Sequence, residues 1–346
     1  MEKVNITGMT LEQMETLMTS IGQPAYRAAQ LFNWIYKRNV TACDQMTNFS
    51  KSLRNALSEQ VDIGHIDVAD QRIAADKSTI KYLFRLRDGR YVESVYMEEG
   101  RRRTVCLSSQ VGCALGCTFC ATGNMGLIRN LSAGEIVDQL LTIHRIVGAE
   151  ATNVVIMGMG EPFLNYDEVI AACELISHDK GIAIGKRKIT ISTAGIIPQI
   201  KRFTDEGQRF KLAISLNAPD DVTRSGLMPI NKKYPIHELM NAAKYYAIKS
   251  RNRITFEYVL INGVNDSSDH AQSLKKLIGE LRCKINLIPY NAVDGPFQPP
   301  SEHRINAFIQ PFLDMNVVIS VRRSKGSEIQ AACGQLFVAA EEKSAQ

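Results

Sequence analysis

The sequence predicts an α/β fold: a parallel sheet with helical crossovers, built as an incomplete, open (β/α)6 barrel behind a small helical N-terminal accessory domain and a β-hairpin connection. Three observations carry that expectation. After Arg103 the chain alternates between strand-like apolar runs and helix-like amphipathic runs, which implies parallel pairing through crossovers. The alternation gives six β/α units and a last strand, short of the eight that close a barrel. Before it, a helical period gives way at Thr79 to two strand-like runs. The boundaries drawn from these changes are 1–75 for the helical accessory domain, 76–103 for the hairpin connection, and 104–346 for the partial barrel.

Taken in order, Thr10 and Gln13 form a capping-box pattern that opens a helix over "LEQMETLMTSIG", and Gly22 stands where it stops. "PAYRAAQLFNWIYKR" has Pro24 near its start and Ala28, Leu31, Trp34 and Ile35 at helical spacing. Its Arg27, Lys37 and Arg38 read as a solvated basic face or as an RNA contact. "TIKYLFRLRDGRYVESVYM" is two strand runs joined by Asp88-Gly89, a hairpin signal, with Glu93 on the second run. Strand-like "TVCLSS" leads into a cysteine loop, after which Ser132 and Glu135 cap a helix through Ile146. "NVVIMGM", "KITIST", "FKLAISL", "RITFEYVLI", "KINLIPY" and "VVISVRR" continue as strands, with helices near "DEVIAACELI", "IPQIKRFTDEG", "IHELMNAAKYYAIK", "DHAQSLKKLIGELR" and "RINAFIQPFLDM". In such an architecture chemistry gathers at the C-terminal strand ends. The cysteine loop, "GMGEP", Ser192, "SLNAP" and Asn291 all fall there.

With 346 residues, 45% of them apolar and 22% charged, the chain has the composition of a soluble globular protein. A net charge of +5 permits an RNA partner without demanding one. The opening residues lack the apolar core of a signal peptide, and no later stretch approaches a membrane span. Eight cysteines in that setting are expected to be reduced thiols in the cytoplasm, where clustering means metal or redox chemistry.

Cys113, Cys117 and Cys120 give C-x3-C-x2-C. Thiolates suit zinc or iron–sulfur centres. A structural zinc site wants four closed ligands, yet the nearest other cysteine, Cys106, lies upstream in a strand run. A [4Fe–4S] cluster held by three cysteines instead leaves one iron open to a substrate. In "GMGEP", Gly158 and Gly160 allow close backbone approach and Glu161 can accept from a cationic amino group, although an ordinary βα turn looks similar. Ser192, Ser215, Asn217 and Asn291 can bind a ligand or cap their strand ends.

That cysteine spacing just after the first strand of a β/α series resembles the signature of the radical S-adenosylmethionine (SAM) superfamily. Together "VCLSSQVGCALGCTFCATG", "GMGEP", "LMPIN" and "RRSKGSEIQAACGQL" resemble the RlmN type of radical SAM RNA methyltransferase in the RlmN/Cfr family, over almost the whole chain. The resemblance implies one [4Fe–4S] cluster on Cys113, Cys117 and Cys120, with SAM held by Gly160, Glu161, Ser192, Ser215, Asn217 and Asn291. Two SAM molecules are consumed per methylation. One methylates Cys333 by displacement; the second yields a 5'-deoxyadenosyl radical that takes a hydrogen from that methyl group. The methylene radical then adds to C2 of an adenine, joining protein and RNA. Cys106 resolves the adduct through a transient disulfide with Cys333, and Glu93 is the general acid/base. The scheme has a chemical reason: adenine C2 is electron-poor and cannot attack a sulfonium methyl, whereas a carbon radical can add to it. One departure stands out, since the family usually has His where this chain has Asn217. Asn keeps hydrogen-bonding ability without the titratable ring.

The implied substrates are an adenine of 23S rRNA, reached before the ribosome is fully assembled, and the adenine 3' to the anticodon in tRNA. Either base must leave its stack. An electron donor such as a flavodoxin system is implied, no membrane is expected, and the chain is expected to be a monomer. Basic "GRRRT", "GKRK", "KSRNR" and "RRSKG" can track phosphate or be separate surface runs. Two alternatives stand beside this reading: Cfr-type methylation at C8, against which proline in "GMGEP" resembles the C2 type, and a non-catalytic, zinc-stapled RNA-binding protein.

Overall fold

The structure is a computed structural model that describes residues 3–64, 66–291, 296–323 and 329. Cys333 lies outside the described residues.

The N-terminal unit is β1 (Val4–Asn5), α1 (Leu11–Ser20), α2 (Arg27–Tyr36), α3 (Lys51–Gln60) and β2 (Val61–Asp62), with β1 and β2 pairing in parallel. The expected capping box forms: Thr10 Oγ1 accepts from Gln13 N at 3.3 Å and Gln13 Oε1 accepts from Thr10 N at 2.8 Å. Apolar spacing on α2 buries Ala28, Leu31, Phe32 and Ile35. Their core is continuous with that of the barrel. The unit abuts the barrel's first helix, α4 (Ala133–Val147), so tightly that a Cβ on Gly134 would stand 2.1 Å from Thr7 O. Asn39 Nδ2 donates to Leu141 O at 2.7 Å across the same contact.

The hairpin strands are β4 (Thr79–Arg85) and β5 (Tyr91–Glu99), as Asp88-Gly89 predicts. They do more than connect. A further strand, β3 (Asp67–Ile73), pairs antiparallel with β4, and β5 pairs antiparallel with β6 (Arg102–Leu107). The three strands therefore extend the barrel sheet. β3 falls in the stretch read as helical. It is almost wholly exposed, and a polar edge strand carries no apolar alternation to reveal it.

The parallel strands are β6, β9 (Asn153–Ile156), β10 (Ile189–Thr193), β11 (Lys211–Ser215), β12 (Ile254–Leu260), β13 (Cys283–Pro289) and β14 (Val318–Val321). Their crossovers carry α4, α5 (Tyr166–Ser177), α6 (Ile197–Asp205), α8 (Ile236–Ser250), α9 (Ser268–Ile278) and α10 (Glu302–Ile309). This is the predicted set of six units and a last strand. A short α7 (Asp221–Leu227) and a hairpin of β7 (Gln110–Cys113) and β8 (Gly126–Asn130) around the cysteine loop were not foreseen. The sheet order β14-β13-β12-β11-β10-β9-β6-β5-β4-β3 leaves the barrel open.

Register assigns the two faces. Leu107, Ile156, Ile191 and Leu212 are in one row, and Ile214, Phe256 and Ile285 in another. All are buried. Because side chains alternate along a strand, the opposite face carries Glu93, Cys106, Ser192, Ser215, Glu257 and Asn286. An apolar face under the helices and a polar face toward the barrel interior are what position the site. Among the described residues no helix is long and apolar enough to cross a membrane.

Candidate active site

At the C-terminal ends of the parallel strands a cavity of about 370 Å³ opens. Its lining includes Cys113, Cys117, Cys120, Gly160, Glu161, Ser192, Ser215, Asn217 and Asn291. Every residue expected to hold the cluster or SAM therefore meets in one place.

The cysteine loop leaves β7 at Cys113 and turns through Cys120 N donating to Cys117 O at 3.0 Å. Gly123 is needed beneath this turn, since a Cβ there would stand 2.8 Å from Cys117 O. The loop is docked on α7, with Thr118 N donating to Leu227 O at 3.0 Å. Leu115, Cys117 and Phe119 pack on an apolar patch of Leu227, Met228, Ile261 and Tyr290.

Glu161 is buried and doubly tethered: Oε1 accepts from Phe163 N at 3.0 Å and Oε2 from Ala194 N at 2.7 Å. The carboxylate thus joins the loops after β9 and β10. Burial raises its pKa even against those bonds, so a cationic ligand group beside it would be stabilised. The glycines before it serve the scaffold. A Cβ on Gly158 would meet Ser108 Oγ at 2.6 Å, and one on Gly160, at φ +97°, would meet Gln110 Cβ at 2.5 Å. Their bareness admits the neighbouring strand end, while both also line the cavity.

Asn217 has φ +58°, the left-handed region where Asn and His are enriched among non-glycine residues. Its Oδ1 accepts from Val259 N at 2.8 Å, and its Nδ2 approaches Met228 Sδ at 3.2 Å. The side chain therefore ties β11 to β12 while lining the cavity. That role needs an αL-tolerant polar residue, and no titratable ring. Ser192 and Ser215 hydroxyls sit 3.4 Å apart on adjacent strands.

Two buried residues of the site escaped the sequence reading. Glu257, beside Ser215 in register, lines the cavity and accepts from Asn286 Nδ2 at 2.7 Å. Burial raises its pKa. A lone acid inside the apolar run "RITFEYVLI" was the available signal. Arg224 of α7 is fully buried. Its guanidinium donates to Ala194 O at 2.6 Å, Leu216 O at 3.0 Å, Ser215 O at 3.3 Å and Asn231 Oδ1 at 3.0 Å. Nothing in "DDVTRSGLMPIN" announces such a clamp.

Glu93 and Cys106 do not line the cavity, but they share the polar face that runs into it. Glu93 is buried and its Oε1 lies 3.1 Å from Lys81 Nζ, itself buried. Cys106 pairs with Val95 on one side and Val155 on the other. The other sulfurs behave as core: Cys43, Cys173 and Cys283 are buried, and burial raises each thiol.

The three loop thiols fit an iron–sulfur centre. Burial pushes Cys113 up to about 11 and Cys117 up to about 12, so at neutral pH they keep their protons unless a cation neutralises the thiolates. A cationic cluster core does so, and binding releases those protons. Among the described residues no three His, Cys, Asp or Glu side chains are arranged around a single metal ion. Accordingly, Cys117→Ala should lose most of its iron and sulfide after anaerobic reconstitution, read by metal analysis and brown absorbance. Full iron in that variant would remove Cys117 from the ligand set.

An open parallel barrel with three thiols lining a cavity at its strand ends, where Glu161, Ser192, Ser215 and Asn217 stand among apolar side chains, is the arrangement of a radical SAM enzyme, and the radical SAM superfamily profile matches residues 107–274. The ribosomal RNA large subunit methyltransferase N-terminal domain matches residues 4–63. A probable dual-specificity RNA methyltransferase RlmN of a Thermoanaerobacter species is 46% identical over 96% of this chain and 97% of its own. The dual-specificity RNA methyltransferase RlmN of Syntrophobacter fumaroxidans is 44% identical over 97% and 98%. The crystal structure of a radical SAM methyltransferase from Sphaerobacter thermophilus superposes with a TM-score of 0.92 at 44% identity, covering 96% and 98%. The chain belongs to the RlmN family of radical SAM RNA methyltransferases.

Proposed function

We propose that the enzyme methylates C2 of an adenine in 23S rRNA, before ribosome assembly is complete, and C2 of the adenine 3' to the anticodon in tRNA. Cys333 carries the methyl group and Cys106 releases the product. The observation that carries this reading is the placement of Cys106 and Glu93 on the polar face that runs into the cavity of the three loop cysteines. A thiol outside the cluster set stands where a purely cluster-dependent reaction would not need one.

Bound to Cys113, Cys117 and Cys120, the cluster supplies, with SAM, a transferable methyl group and a carbon-centred radical. Two SAM molecules are used per methylation, and a flavodoxin-type donor supplies the electron to the monomeric enzyme. The chain's own residues do the rest. Glu161, Ser192, Ser215 and Asn291 orient SAM with backbone groups of Gly160 and Asn217. Lys81 holds the Glu93 carboxylate, which would take up the proton leaving adenine C2 as the unpaired electron left by radical addition returns to the electron-transfer system. The Cys106 thiolate then attacks the Cys333 sulfur. A sulfur–sulfur bond forms as the bond from Cys333 sulfur to the methylene carbon breaks; that carbon leaves with the electron pair and picks up a proton to become the methyl group.

Nucleoside mass spectrometry after incubation with protein-free rRNA and with tRNA tests the reading. 2-Methyladenosine is expected in both. 8-Methyladenosine alone would overturn C2 chemistry in favour of the C8 reaction.

A further inference from the structure

Three of the basic runs that the sequence scatters over 150 positions converge at one pole. "GRRRT" enters β6, "GKRK" enters β10 and "KSRNR" enters β12, so all lie at the N-terminal ends of the parallel strands, opposite the cavity. Arg209 and Lys211 open β11, and Arg282 and Lys284 open β13. Within two positions of the first residue of each parallel strand there are ten Lys or Arg and no Asp or Glu. Those ten exceed the whole chain's net charge of +5, so the remainder of the molecule is net negative and the positive field is concentrated here.

The side chains also share a direction. Arg102 shares a face with Cys106, Lys211 with Ser215 and Lys284 with Asn286, and Lys188 directly precedes β10. They surround the lower mouth of the barrel interior. Arg102, Lys188, Lys211 and Lys284 are exposed, and among the described residues none of the four has a carboxylate within salt-bridge distance. Burial lowers the Lys211 pKa, and the neighbouring charges of Lys284, Lys188 and Arg102 lower it further. Arg102 faces Glu99 across the β5–β6 pair, but among the described residues the three lysines have no such partner; cations held together in this way repel one another in the free protein, and an anion laid across them relieves that repulsion.

We propose that this pole is a second RNA-binding surface, which grips the sugar–phosphate backbone of the substrate RNA at a point remote from the target adenine. The proposal rests on the RNA methyltransferase reading and extends it to how a large structured RNA is held. Strands of four to seven residues put roughly 13–23 Å between the pole and the cysteine loop. An acidic electron-donor protein seated here would stand away from the cluster, so the geometry favours RNA. The surface would act through phosphate neutralisation, and so would be sequence-independent and salt-dependent.

The test uses the full-length Lys188→Gln/Lys211→Gln/Lys284→Gln variant and two RNAs: protein-free large-subunit rRNA, and a short stem-loop carrying the target adenine. Binding of the long RNA is expected to weaken about tenfold at 0.1 M salt, with the log–log salt slope falling in magnitude by about 2–3. Methylation of the stem-loop and the thermal midpoint should stay unchanged. Unchanged affinity and salt slope on the long RNA would overturn the proposal. An equal loss on the stem-loop would also overturn it, because the effect would then lie at the active site or in the fold. Weakened reduction by an acidic donor protein with intact RNA binding would reassign the pole to protein docking. Failure of the function reading is separately visible, as wild-type protein that binds both RNAs and methylates neither.

Discussion

Cys106→Ala enzyme, given SAM, reductant and RNA, is expected to stop after a single event with RNA covalently attached to the protein. Cys333→Ala should give neither adduct nor product. The asymmetry follows from the proposed roles: without the carrier no carbon would reach the base, whereas without the resolving thiol the adduct would form and could not be cleaved. Cys106 is 8% exposed, between Val95 and Val155, so thiols from bulk solvent are poorly placed to replace it. Removing one buried sulfur costs roughly 1 kcal/mol of packing, too little to unfold the chain. Denaturing gel electrophoresis and intact mass spectrometry read the outcome. Repeated turnover by the Cys106→Ala protein, or an adduct in the Cys333→Ala protein, would refute the two-thiol scheme.

Arg224→Ala should be strongly destabilising, by about 3 kcal/mol or more, because it leaves several buried acceptors without a donor. The guanidinium is fully buried, and burial brings its pKa down to about 10, so it stays charged at neutral pH. Its removal strands the carbonyls of Ala194, Ser215 and Leu216 and the Asn231 carboxamide oxygen. Each such buried orphan costs about 1–3 kcal/mol. Lysine cannot rescue the loss, since one ammonium does not reproduce a planar fork that reaches several acceptors. A second consequence is local: α7 carries the Leu227 carbonyl that holds Thr118, so loosening it should lower iron uptake by the cysteine loop. Denaturant unfolding gives the first quantity and iron content the second. A loss under about 1 kcal/mol with full iron would show that the clamp is dispensable.

Much of this protein is legible residue by residue. Buried parallel strands are short apolar runs, amphipathic crossovers carry caps such as Ser132 with Glu135, and strand ends collect chemistry. The six β/α units, the Asp88-Gly89 hairpin, the cysteine loop and the cavity-lining set follow from those local signals. Elements without such signals were missed: polar β3 at the sheet edge, the short β7–β8 hairpin, and α7. Which backbone Gly158 and Gly160 let in, that of Ser108 and Gln110, is likewise not written in the sequence.

The fold class and the thiol loop can thus be read from periodicity, caps and cysteine spacing, which act within a few residues, and the family from the resemblance of its long motifs. Only the tertiary structure decided which distant groups meet. Strand order and the alternation of faces put Glu93, Cys106 and Glu257 on one surface, buried Arg224 among four acceptors, and drew separate basic runs to the pole opposite the cavity. Those outcomes depend on register and curvature across the whole sheet, which no local stretch encodes.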